Sequence, residues 1–214
     1  MTVRLIAKTV PAIDLPNADD IVSYTARVSN PANQMNHETA PKLLNYLQKN
    51  QHWSPFEMAS ATLEIVTSRD IARQILRHRS FSFQEFSQRY AQANVFYGTR
   101  EFRLQDDKNR QNSIEITDGE YGLEKADWYQ AQSQVWNLAE TVYRQAIKNG
   151  VAKEVARSVL PEGLTESTLY MAGTLRSWKH YIDLRTDNGT QKEHRRIAEE
   201  CREVLKEAYP NIFG

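Results

Sequence analysis

The chain has 214 residues, with 27 Lys and Arg balancing 27 Asp and Glu, and one cysteine. That length suits a single domain over residues 1–214 with a real core, and a net charge of zero argues against a general nucleic-acid coat, which needs a broad basic face. The lone Cys201 excludes a disulfide-stapled secreted domain and an all-thiolate metal centre, so no metal is expected.

Residues 3–7 read as a short strand; the apolar run around them is far too short for a signal peptide, and no window approaches the ~20 apolar residues of a membrane span. A cytoplasmic protein without a membrane partner is therefore expected. Residues 39–49 have Leu43, Leu44 and Leu47 on one side of a helix. Ser54-Pro55 has the form of a helix cap before a first-turn proline. Over 59–66, Ala61, Leu63 and Ile65 alternate with polar or outward positions, the pattern of a strand. Thr67, Ser68 and Asp70 then supply a cap and a first-turn acid, and Ile71, Ala72, Ile75 and Leu76 recur at helical spacing, with Arg69, Arg73 and Arg77 along the polar side.

Residues 98–122 are the least periodic segment and read as a surface excursion with a hairpin around 113–117. A long helix is predicted over 125–148, with Ala131, Val135, Leu138, Ala139, Val142 and Ala146 on one stripe and Asn149-Gly150 ending it. A second helix, 151–160, stops at Pro161. Residues 165–171 suit a strand, 175–185 a helix, Asn188-Gly189 a turn, and 192–208 a helix burying Ile197, Ala198, Cys201, Val204, Leu205 and Ala208. The expected fold is α/β of the α+β type, a central mixed or antiparallel sheet with packed helices, its strand order not derivable from pattern.

Charge gathers in one place. From Arg69 to Tyr90 there are five arginines and one histidine against only Asp70 and Glu85. Arginine's planar fork bonds phosphate oxygens two at a time and stacks on flat rings, so Arg77-His78-Arg79 followed by Ser87 and Arg89-Tyr90 suits a phosphorylated, planar ligand. A solvated basic helix end fits the same residues, since helix C-termini favour cations. No glycine-rich dinucleotide fingerprint, P-loop, nucleophile-elbow serine or zinc-helix histidine pair occurs, so side chains must hold any nucleotide.

Arg77-His78-Arg79, seven residues and then Ser87, continuing to Arg89-Tyr90, resembles the signature of the flavin-dependent thymidylate synthases. Further blocks follow that family's order: Arg27-Val28-Ser29, His52-Trp53-Ser54-Pro55-Phe56-Glu57, Ala72-Arg73-Gln74, Glu154-Val155-Ala156-Arg157 with Leu160-Pro161, and Leu175-Arg176-Ser177-Trp178 through His180 to Leu184-Arg185. The blocks span most of the chain and leave the 98–122 excursion and the last helix unmatched.

The resemblance implies reductive methylation of dUMP to dTMP, with methylenetetrahydrofolate as one-carbon donor and FAD, reduced by NADPH, as hydride source. It implies a homotetramer whose active sites are shared between subunits. Carried over, Gln74, Ile75, Leu76, Arg77, Glu85, Phe86, Ser87, Gln88, Arg89, Arg157 and Arg185 would line the dUMP site. Ser54, Arg77, His78, Arg79, Glu85, Thr174, Leu175, Arg176 and His180 would line the flavin. Gln88 is a departure, since glycine is frequent there in the family, and it bears on how the local backbone meets the phosphate.

Within that resemblance Arg185 is the candidate catalytic group: a fixed cation beside the pyrimidine favours loss of a ring proton and raises electron density at carbon 5. Ser87 reads as a ligand contact, because a nucleophilic serine needs an oriented base. His52 is a site neighbour through the resemblance alone, and His37 and His194 have no support. Trp178, Tyr181 and Ile182 read as core. Cys201 lies on the apolar stripe of the last helix, which disfavours the unrelated thiolate chemistry for making dTMP. The rival reading is a nucleotide or single-stranded RNA binding module using the arginines with Phe81, Phe83, Phe86 and Tyr90.

Overall fold

The structure, a computed structural model, describes residues 2–93, 95–117 and 119–214. Its elements are β1 (Thr2–Lys8), α1 (Asp20–Ala26), α2 (Ala40–Lys49), a 3₁₀ turn Ser54–Met58, β2 (Ser60–Ser68), α3 (Arg69–Ile75) and β3 (Ser82–Glu85). There follow β4 (Leu104–Gln105), β5 (Ser113–Ile114), α4 (Gly122–Lys148), α5 (Lys153–Ala156), β6 (Glu166–Thr174), α6 (Leu175–Arg185), α7 (Lys192–Ala208) and α8 (Pro210–Phe213).

The main sheet has the order β1-β2-β6-β3 and every neighbour is antiparallel, which settles the expected choice between mixed and antiparallel. Strands β2 and β6 pair without a slip from Ser60↔Thr174 to Ser68↔Glu166. Ala61, Leu63 and Ile65 therefore share one face with Leu169 and Met171, all buried. Against them pack Ile71 and Ile75 of α3, Trp178 and Ile182 of α6, and Ile197, Cys201 and Leu205 of α7. Trp178 also donates its indole N–H to the Ala61 carbonyl at 3.0 Å, fixing α6 across β2. On the opposite face Thr62, Glu64, Thr168 and Tyr170 are half-buried or exposed, with no covering layer among the described residues.

Four expectations need correction. Helix α3 ends at Ile75, so Arg77 lies in the turn beyond it and does not continue a face with Arg69 and Arg73, which both approach Glu162. The helix over 151–160 is only α5 and a 3₁₀ turn, Arg157–Val159. Extended Ala152 and positive-φ Gly150 leave too few residues before Pro161 for regular turns. The long helix buries Gln132, Trp136, Ala139 and Tyr143, whereas Val135, Leu138 and Val142 of the predicted stripe are 52, 68 and 43 % exposed. Finally, Ser54 opens its 3₁₀ turn without a side-chain cap, the capping position falling on Trp53. Strand β3 and helices α1 and α8 have no counterpart in the sequence pattern.

The hairpin of the excursion lies earlier than the expected 113–117: β4 pairs with β5, Leu104↔Ile114 and Gln105↔Ser113, so only its second strand falls in that span. It is strapped to the body at several points. Buried Gln132 accepts from the Arg100 amide at 2.7 Å and donates to the Arg100 carbonyl at 3.0 Å; Arg103 pairs with Glu193 at 2.5 Å, and Lys192 with Glu101 and Glu115 at 2.6 and 2.7 Å.

Candidate active site

As α3 runs out, the chain turns over Arg77 N to Gln74 O at 3.3 Å and His78 N to Ile75 O at 3.1 Å. The turn tucks the half-buried His78 ring edge-on against Tyr181 at 4.8 Å. Helix α6 ends beside it, and Arg185 Nε donates to His78 Nε2 at 3.0 Å. Since the guanidinium can only donate, Nε2 is bare and His78 is neutral. Burial, then the charges of Arg185 and Arg77, hold its pKa down to about 4. With Nε engaged, the two terminal nitrogens of Arg185 have no protein hydrogen-bond partner among the described residues and remain available to a ligand.

His194, for which the sequence offered no support, lies fully buried behind this pair. Its ring is 6.2 Å from that of His78; Nδ1 is 3.3 Å from Gln74 Oε1 and Nε2 is 3.2 Å from the Tyr181 hydroxyl. Burial and then Arg185 and His78 lower its pKa to about 3. Only the spacing of Tyr181 and the α7 stripe hinted at it, and neither gave it polar partners.

At the end of β3, Glu85 accepts from Ser167 Oγ at 2.8 Å and lies 3.5 Å from the largely buried Arg69, both on Oε1, which leaves Oε2 open. Phe86, Ser87, Arg89 and Tyr90 are exposed, and Gln88 is buried with an unpartnered Nε2. This segment is tied to α5: Arg89 Nε pairs with Glu154 at 3.0 Å, and Lys153 Nζ donates to the Tyr90 carbonyl at 2.8 Å. Half-buried Arg157 directly follows α5, three positions beyond Glu154, the partner of Arg89. A cavity of about 490 Å³ there is lined by Arg89, Val151, Lys153 and Glu154, among others.

The start of α6 forms a third group. Thr174 caps the helix by accepting from Ser177 N at 3.3 Å, and Arg176 pairs with Glu57 at 2.8 Å. The Thr174 hydroxyl above all, and also Arg176, hold the Glu57 carboxyl below its ordinary range despite burial. Exposed His180 meets Trp53 edge-on at 4.9 Å, next to exposed Ser54. Ile75 and Leu175 are fully buried, so they can offer a ligand only backbone; the Leu175 amide is already bonded to Ala59 O at 2.9 Å. Leu76 is half-buried. His52 is exposed and packs edge-on against Tyr46 at 5.9 Å.

Arg77 and Arg79 are exposed and enter no ion pair among the described residues, unlike Arg69, Arg73, Arg89 and Arg176. Arginine forks without a partner suit phosphate oxygens and flat rings alike. Among the described residues no base is hydrogen-bonded to Ser87, His78 being committed to Arg185, and burial pushes the Cys201 thiol well up, away from thiolate chemistry. Among the described residues no group of His, Cys, Asp and Glu could hold a metal ion.

Fold and side chains together define an α+β protein whose arginines gather on an open surface suited to a phosphorylated ligand. The family described as thymidylate synthase complementing protein matches residues 4–211. The probable flavin-dependent thymidylate synthase of Paramecium bursaria Chlorella virus 1 is 46 % identical over 99 % of this chain and 97 % of its own length. The flavin-dependent thymidylate synthase of Synechocystis sp. is likewise 46 % identical, again over 99 % and 97 %. Among solved structures, the UMP/dUMP methylase PolB from Streptomyces cacaoi, bound with 5-Br dUMP, superposes with a TM-score of 0.82 at 27 % identity, covering 99 % of this chain and 92 % of that one. This chain belongs to the flavin-dependent thymidylate synthase family, and is thus an enzyme of the methyltransferase class.

Proposed function

We propose that the protein converts dUMP to dTMP by reductive methylation, taking the one-carbon unit from methylenetetrahydrofolate and the hydride from reduced FAD, which NADPH regenerates. The observation that carries this reading is the contact between Arg185 and His78, which draws together two blocks of the family pattern 107 positions apart. The relatives' names and the dUMP analogue in PolB support the substrate and the flavin.

Carbon 5 of uracil attacks poorly until the ring gains electron density. The Arg185 guanidinium would stabilise the ionised ring through its two unengaged nitrogens, and neutral His78 holds it by Nε without adding a competing charge. Arg77, Arg89 and Arg157 would bind the nucleotide phosphate, with Ser87 and Gln74 as polar contacts. Arg79, His78, Ser54, Thr174, Arg176 and His180 would hold FAD, which when bound supplies the hydride.

The described surface is open, and Leu123, Val135, Leu138 and Val142 of α4 are exposed apolar side chains not covered by any other described residues. This supports a homotetramer with sites completed between subunits. No described helix is long and apolar enough to cross a membrane, and we place the enzyme in the cytoplasm.

Purified protein should take up FAD and show a visible flavin band that shifts when dUMP is added. A folded protein that stays colourless and indifferent to FAD would sink the reading.

A further inference from the structure

The hydrogen bonds of His194 have forced directions. Gln74 Oε1, 3.3 Å from Nδ1, can only accept, so Nδ1 carries the proton; Nε2 is then bare and accepts from the Tyr181 hydroxyl at 3.2 Å. Turning the Gln74 amide over would set its oxygen against Gln191 Oε1, acceptor against acceptor, so the assignment of Gln74 is fixed by its neighbours. As it stands, Gln74 Nε2 donates to Gln191 Oε1 at 2.8 Å, Gln191 Nε2 donates to Glu193 Oε2 at 2.9 Å, and Arg103 of the excursion meets the other oxygen of Glu193 at 2.5 Å. From Tyr181 to Glu193 every donor points the same way, and bonds in such a chain polarise one another.

We propose that His194 is a positioning residue for the pyrimidine nucleotide: its Nδ1–H pins the Gln74 oxygen inward, so that Gln74 offers the ligand an amide N–H and not an acceptor. This rests on the dUMP reading above. It also gives the 98–122 segment a task, since Arg103 anchors the far end of the chain that holds Gln74. His194 does not touch the ligand; it acts through Gln74, and its buried, uncharged ring keeps a second positive charge away from Arg185.

The test compares two substitutions in the FAD-loaded protein. Asparagine places an amide N–H where Nδ1–H stood, whereas glutamine reaches the Nε2 position and can serve Tyr181 but not Gln74. With dUMP affinity read from the flavin shift, His194→Gln should weaken binding about tenfold and His194→Asn by no more than about threefold, the scale of one oriented hydrogen bond. FAD affinity should stay level in both, and in a Gln74→Ala background His194→Gln should add no further loss. Equal weakening by the two variants, or an undiminished loss in the Gln74→Ala protein, overturns the proposal. Should neither variant fold, the wild-type protein with ¹⁵N-labelled histidine decides: a His194 ring protonated at Nδ1 that responds to dUMP supports it, and an Nε2–H tautomer overturns it. A wild-type protein that binds FAD but ignores dUMP removes the functional reading itself, and this proposal with it.

Discussion

Arg185 Nε and His78 Nε2 stand 3.0 Å apart, the end of α6 against the turn after α3. A cation donating to an imidazole requires that imidazole to be uncharged, and burial behind Tyr181 enforces the same state. The site is therefore a guanidinium held by a neutral ring, with a second neutral histidine, His194, packed behind it.

That arrangement fixes a pH dependence of stability. The pKa values of His78 and His194 fall in the folded protein from 6.5 to about 4 and about 3, so below pH 6.5 the unfolded chain binds protons that the folded chain does not. Their contribution is complete above about pH 6.5 and is lost as pH falls through 4 and 3. Melting temperature should drop across that interval, and His194→Asn should flatten the drop. A melting profile that is level there, or steepest above neutrality, would contradict the assignment.

Gly173 lies against the Phe81 ring: a Cβ built on it would stand 2.4 Å from Phe81 Cδ1. Phe81 is itself packed on Trp178 at 4.8 Å, so it has little room to yield. Gly173→Ala should cost about 1–3 kcal/mol in urea unfolding, the usual penalty of overpacking. It should also weaken FAD binding, since Thr174 and Arg176 follow directly. An unchanged unfolding midpoint would show that the ring moves freely.

Cys201 is fully buried and its thiol is pushed well up by burial. Native protein should resist a thiol alkylating reagent, and Cys201→Ala should keep dTMP formation within about twofold while losing about 1 kcal/mol or more of stability as a small cavity opens. A folded, inactive Cys201→Ala protein would return the chemistry to the thiolate.

Leu138 projects from α4 with 68 % of its surface exposed, beside Val135 and Val142. If that stripe joins subunits, Leu138→Glu buries a charge at the interface and should lower the mass seen by light scattering. A variant with the wild-type mass would place the subunit contact elsewhere.

Much of this fold is legible in the sequence because burial leaves a period. Lys192–Ala208 is found to the residue, since its stripe of Ile197, Cys201 and Leu205 follows a helix and Gln191 sits outside it. The same period misleads on α4, where it reports an apolar face but not whether this chain covers it. Strand β3 escapes notice because it is four residues at a sheet edge, with Ser82 and Gln84 outward. Site residues divide the same way. Candidates in local motifs, such as Arg77 to Arg79, can be named without any long-range contact. His194 cannot, because its partners Tyr181 and Gln74 stand 13 and 120 positions away and only the fold brings them together.

In the proposed reaction Arg185, held by His78, activates dUMP for a flavin-supplied reduction. The most direct measurement is dTMP formed from dUMP, methylenetetrahydrofolate, FAD and NADPH by wild-type and Arg185→Ala protein matched for bound flavin. Wild-type turnover should need every component, and Arg185→Ala should lose about 10²–10³-fold in kcat, the usual cost of removing a group that stabilises developing charge. Wild-type rates from a flavin-loaded Arg185→Ala protein, or no dTMP from a flavin-loaded wild type, would contradict this proposal.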